Sequence, residues 1–123
     1  MSGLRKIDDQ YTPLQIEVFT RWVQNHIRGS QIQITDLFND LKNGVVLVRL
    51  AEALTKRQRP RKLAIKPTRV FEQVENCDMA IEMFKADGIR FENISGQDVN
   101  KTETKLILGL IWTLILHYSV SAS

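Results

Sequence analysis

Apolar positions recur along this chain at helical spacing, in segments separated by turn and loop signals. The first segment opens at Thr12-Pro13-Leu14-Gln15: Thr12 suits an N-cap, Pro13 the first helical position, and Gln15 the third position after the cap. The helix that follows sets Leu14, Val18, Phe19, Trp22, Val23, His26 and Ile27 on one stripe. Glu17, Arg21, Gln24, Asn25 and Arg28 are left for solvent, and Gly29 is the expected stop. Gln31 to Thr35 reads as a connector, and Asp36 to Leu41 as a single helical turn with Asp36 near its positive end. After the turn dipeptide Asn43-Gly44, Val45 to Leu54 is amphipathic, with Val46, Leu47, Leu50 and Leu54 inward. Pro60 and Pro67 break a charged loop from Lys56 to Thr68. A third long helix runs from Val70 to Asp87 on the stripe Val74, Cys77, Ile81 and Phe84, with Asp87-Gly88 as its stop. Ser95 can cap a short turn from Gly96 to Asn100.

The last segment departs from this pattern. Between Lys105 and His117 there is no charge, and Leu106, Ile107, Leu108, Leu110, Ile111, Trp112, Leu114, Ile115 and Leu116 leave no polar face. Such a helix is the central rod of a core or a membrane span. A span needs about 20 apolar residues, and this run ends well before that, at Ser119 and Ser121. It is read as a buried central helix beginning near Thr102. Gly88 to Ile94 could pass for a strand, but a single strand has nothing to pair with. The fold class is all-α: four main helices plus short connecting helices. Trp22 reads as a core anchor. The uncharged run is longer than a small bundle must bury, so Trp112 is expected to face a partner or a second domain.

A chain of 123 residues is one domain with room for a real core. We divide it into an N-terminal arm (1–12), a body (13–120) and a tail (121–123). The opening MSGLRKIDDQ has no apolar h-region, and Cys77 is alone, which fits a reducing, cytoplasmic address. The net charge of +3 is unevenly placed. Lys56, Arg57, Arg59, Arg61, Lys62, Lys66 and Arg69 fall within fourteen residues that hold no acid. Without those seven, ten basic residues face fourteen acidic ones, a balance of −4. This loop is either simply solvated or a site for an acidic protein surface or anionic phospholipid heads. No aromatic interleaves its charges and no nucleic-acid motif is present, so nucleic acid is not an expected partner. There is no HExxH, CxxC, GxSxG or GxxxxGK[ST] signature. His26 and His117 read as structural, Cys77 as a small core residue, and Asp36, Asn39, Asp40 and Glu52 lack calcium-loop spacing. No enzyme, metal or cofactor is expected.

Four blocks occur in order: Phe19-Thr20-Arg21-Trp22, Asp36 to Leu47, Glu75-Asn76, and Leu106 to Tyr118. Together they resemble the calponin-homology domain over about residues 14 to 120. They are most similar to the first of the paired domains in filamin- and α-actinin-like actin crosslinkers. The resemblance implies F-actin binding without catalysis, a second calponin-homology domain as partner, and a cytoskeletal location, with phosphoinositide lipid as the alternative ligand of an adaptor domain. It places actin contacts on Thr20, Arg21, Gln24, Asn25 and Arg28 of the first helix. On the last helix it places them from Lys105 to Ser121, with Leu108, Trp112, Thr113, Leu116, His117 and Ser119 as candidates for the exposed edge. Two departures stand out: Thr12 and Pro13 replace basic residues often found ahead of the first helix, with Arg5 and Lys6 further upstream, and Lys101-Thr102-Glu103 replaces an Asp-Gly-Asn turn. A different cap is expected there, on the same fold.

Overall fold

Thr12 closes the first helix as its sequence suggests. Its hydroxyl accepts from the Gln15 N–H at 3.1 Å, and the Gln15 side chain accepts from the Thr12 N–H at 2.7 Å. The computed structural model describes residues 11–120. Among these residues the chain forms six α-helices and no strand: α1 (Pro13–His26), α2 (Leu37–Leu41), α3 (Val45–Thr55), α4 (Val70–Ala86), α5 (Gly96–Asn100) and α6 (Thr104–Ile115). A 3₁₀ turn, Arg28–Ser30, follows α1, and a π-helical turn, Leu116–Val120, continues α6. The tail at 121–123, the arm at 1–10, and Arg5 and Lys6 within it lie outside the described residues. Tyr11 and Thr12, assigned to the arm from sequence, belong to the folded body: Tyr11 packs edge-on against Phe19 with ring centroids 6.0 Å apart.

α3 packs along α4, α5 sits on α4, and α1 lies against α6. The centre is filled by Leu41, Leu47, Leu50, Phe84, Ile107, Ile111 and Leu114, all fully buried. Each such side chain contributes about 2 kcal/mol by leaving water. Four sequence readings need correction. On α1 only Phe19 and Val23 are buried, joined by Ile27 just beyond the helix, while Leu14 and Val18 are exposed. The apolar sector of α1 is wider than the strip that meets the core. Gly29 is not the left-handed stop; α1 ends at His26, and Gln31 takes the left-handed conformation (φ 63°) after the 3₁₀ turn. Trp22 is half-buried rather than a deep anchor, and the buried reading of α6 does not hold on every side: Trp112 is 46% exposed, in line with the outward placement expected of that residue.

Gly44 and Asn76 fix the geometry around the loop. Gly44 has φ 84°, and a Cβ there would sit 2.7 Å from the Cys77 nitrogen, so the α2–α3 turn passes against the α4 backbone. Buried Asn76 donates to the carbonyls of Asn43 (3.1 Å) and Ala64 (2.9 Å) and accepts from the Ala64 N–H (3.2 Å). One amide thereby holds the α2–α3 turn and the middle of the basic loop. At the other end, Thr102 takes φ 54° before α6, whose N-cap Glu103 makes no side-chain capping bond. Lys101-Thr102-Glu103 thus enters α6 through a left-handed residue and without a side-chain cap.

Candidate functional site

α1 and α6 meet along a seam of aromatic residues. Phe19 stacks on Trp112 with centroids 6.2 Å apart and planes 9° from parallel. Further along, the Trp22 indole N–H donates to the Ser119 hydroxyl at 2.9 Å. Tyr11, Gln15, Phe19 and Trp112 line a shallow depression at one end of the seam. On either side run exposed residues: Leu14, Val18, Arg21 and Asn25 from α1, and Trp112, Leu116 and Val120 from α6 and its π-turn. The last three recur every fourth residue, one ridge along a helix whose Ile107, Leu108, Leu110, Ile111 and Leu114 are buried in the core. The result is one surface drawn from both ends of the chain.

The expected contact residues divide on inspection. Arg21 is exposed and paired with Glu17 at 2.7 Å, an i,i+4 pair of small energetic weight. Arg28 is exposed and donates to the Asn25 side chain at 2.9 Å. Thr20 is half-buried, its hydroxyl donating to the Ile16 carbonyl. Gln24 does not face solvent as read from sequence. Its amide donates to the Ile32 carbonyl and accepts from the Ile34 N–H, both at 2.7 Å, which fastens the connector to α1. Leu108 also needs correction: at 3% exposure it is part of the core and cannot form an exposed edge. Lys105 and Ser119 are exposed, while Thr113 and His117 are half-buried, with the Thr113 hydroxyl donating to the Gly109 carbonyl. Sequence reasoning missed Leu14 and Val18, and included Val120 only within the range Lys105 to Ser121, not among the named candidates. Only Val120 carried a cue, its i+4 spacing from Leu116.

The basic loop does not present seven equivalent charges. Arg57 reaches Asp87 (3.4 Å), Arg59 reaches Glu52 (2.8 Å) and Arg61 reaches Glu82 (2.9 Å). Among the described residues, Lys56, Lys62, Lys66 and Arg69 have no carboxylate within 4.0 Å. Cys77 is buried, and that burial pushes its thiol up to about 12, which keeps it protonated and unreactive. His26 donates from Nδ1–H to the Trp22 carbonyl (2.8 Å), a structural role. No group of three metal-ligating side chains occurs among the described residues, and no helix there is long and apolar enough to cross a membrane.

Among the described residues the chain is an all-helical bundle in which α1 and α6 share an exposed, partly apolar surface. The sequence pattern of the calponin homology (CH) domain matches residues 14–120, and the chain belongs to that family. It is 40% identical over 114 residues to Filamin-A of Drosophila melanogaster, covering 93% of this chain and 5% of that protein. It is 34% identical over 122 residues to the human non-erythrocytic spectrin beta chain 4, covering 97% and 5%. It is 34% identical over 116 residues to rat Microtubule-actin cross-linking factor 1, covering 94% and 2%. The chain thus spans a small fraction of the length of these relatives.

Proposed function

We propose that this domain binds actin filaments as a first-type calponin-homology module, through the surface shared by α1 and α6. The observation that carries the reading is the ridge Trp112, Leu116 and Val120, exposed large apolar side chains on a helix whose Ile107, Leu108, Leu110, Ile111 and Leu114 are in the core, together with the exposed Leu14 and Val18 of α1. An apolar strip rimmed by Arg21, Asn25, Arg28 and Lys105 has the make-up of a protein-docking face. Family membership and one relative named as a cross-linker of microtubules and actin supply the class of partner. The unpaired cations Lys56, Lys62, Lys66 and Arg69 add long-range attraction for an acidic filament, so affinity falls as salt rises. A second domain of the same family is the proposed neighbour of Trp112, and a tandem binds more tightly than this unit alone because it adds contacts or avidity.

The test is high-speed co-sedimentation with F-actin at two salt concentrations, comparing the wild type with Leu14→Ser/Val18→Ser. Both side chains are exposed, so the fold tolerates the change. Saturable pelleting, weakened about tenfold in the variant, is expected. Absence of pelleting at high protein concentration, or equal pelleting of the variant, would refute this reading of the face.

A further inference from the structure

One cluster of exposed apolar side chains lies away from the α1–α6 face. Ile65, Val70 and Phe71, the last 71% exposed, fall within seven residues of chain. Single apolar residues on a surface need no explanation, whereas three in one short segment do. The same segment holds Lys62, Lys66 and Arg69, which are exposed and, among the described residues, have no carboxylate within 4.0 Å. Three nearby acids are already engaged, and none of them pairs with Lys62, Lys66 or the Arg69 side chain. The Glu72 carboxylate accepts from the Thr68 and Arg69 N–H groups, Glu82 holds Arg61, and Glu52 holds Arg59. Glu75 stands one turn further along α4.

The base of the segment is fixed. Leu63 is buried, both backbone groups of Ala64 are bonded to Asn76, and the Pro67 carbonyl accepts from the Gln73 amide at 3.2 Å. The apolar side chains at 65, 70 and 71 therefore stand on a backbone whose ordering cost is already met within the fold.

We propose that residues 62–71 dock on an anionic lipid bilayer. Val70 and Phe71 enter the boundary between headgroups and acyl chains, and Lys62, Lys66 and Arg69 lie against the negative surface. Charge complementarity selects this occupant. A protein groove requires carboxylates at fixed, matched positions, whereas a bilayer accepts apolar side chains inside a diffuse cationic rim. The proposal shares Lys62, Lys66 and Arg69 with the filament reading, but Val70 and Phe71, which carry it, lie outside the α1–α6 face, so the two can fail separately.

The experiment sediments the full chain with phosphatidylcholine vesicles, alone or with phosphatidylserine, and in parallel with F-actin. Binding to the phosphatidylserine vesicles alone is expected. Lys62→Ser/Lys66→Ser/Arg69→Ser should weaken it about fivefold per cation removed. Val70→Ser/Phe71→Ser should weaken it about tenfold, with an unchanged thermal melt by circular dichroism and unchanged filament pelleting. In Phe71→Trp, bromine-labelled acyl chains should quench emission beyond the level seen with Trp22 and Trp112 alone. Vesicle binding by Val70→Ser/Phe71→Ser at wild-type strength would reduce the effect to charge adsorption and overturn the proposal. So would absence of binding to phosphatidylserine vesicles. A loss of filament pelleting with vesicle binding intact would reassign the patch to a protein contact.

Discussion

The loop between α3 and α4 has two halves that differ in what their cations do. In the first, all but Lys56 are paired: Arg57, Arg59 and Arg61 are turned onto Asp87, Glu52 and Glu82 and fasten the chain to the helices on either side. In the second, Lys62, Lys66 and Arg69 have no such partner and share the segment with exposed Ile65, Val70 and Phe71. The division falls near Leu63 and Ala64, where a buried side chain and the Asn76 amide hold the loop in place. A count of charges overstates the field such a loop projects, because locally paired cations are largely neutralised at distance. Arginine, with its planar fork, does the fastening here, and lysine predominates where the charge is left open.

The most damaging way to break this comparison is at the boundary. Asn76→Ala removes three hydrogen bonds and leaves the Ala64 and Asn43 backbone groups without that partner. We expect a loss of about 3 kcal/mol, read as a lower denaturation midpoint in urea. A loss below about 0.5 kcal/mol, the range of ordinary surface changes, would mean that the two halves are not held at this point.

A smaller effect separates the halves themselves. Lys62→Ser/Lys66→Ser/Arg69→Ser should leave stability within about 0.5 kcal/mol of wild type. It should also lower low-salt filament affinity by about 1 kcal/mol and flatten its dependence on salt. Arg57→Ser/Arg59→Ser/Arg61→Ser should do the reverse. Stability falls measurably but little, since exposed ion pairs are worth little each, and the salt slope of binding stays close to wild type. If the arginine variant were the one to lose salt sensitivity, the assignment of fastening and open charge would be inverted.

Much of this was legible in the chain because local rules decided it. Thr12 with Gln15, Asn43-Gly44 and the short helix Gly96–Asn100 stand where their capping and turn chemistry placed them. The all-α class and the core position of the last helix followed from period and length. What could not be read was which side of an element meets which neighbour. Periodicity defines an apolar sector on α1 but not the strip within it that touches α6, so Leu14 and Val18 were assigned inward. In a helix apolar all round the pattern carries little direction, so Leu108, which is core, stood beside the exposed Trp112 among the candidates for the edge. Gln24 shows the opposite case: a polar side chain read as solvent-facing is used inside, where the Ile32 and Ile34 backbone needs partners. The pairing of Arg57, Arg59 and Arg61 depends on acids up to thirty residues away in sequence, so no local pattern announces it.

The finest probe of the comparison is Tyr118, which links the first half of the loop to the end of α6. Its hydroxyl donates to Asp87 at 2.6 Å, and Arg57 meets the other oxygen of the same carboxylate. Burial first, and then the hydrogen bond and charge of Asp87, raise the Tyr118 pKa above its ordinary value near 10. The folded chain therefore holds this proton more tightly than the unfolded chain does. The associated stability is complete below about pH 10, the unfolded value, and is lost as pH rises through the folded one. Cys77, raised from 9.0 to about 12, adds a decline of the same sign that begins one unit lower. Tyr118→Phe should cost about 1 kcal/mol at neutral pH. Below about pH 10 its stability should run parallel to wild type, because both chains keep Cys77. Above that, the two profiles should converge as the wild type loses the tyrosine contribution. Urea unfolding from pH 7 upward measures both profiles. Curves that stay parallel through the alkaline range would show that Tyr118 is not held by Asp87, and the loop would then have no fastening to the end of the last helix.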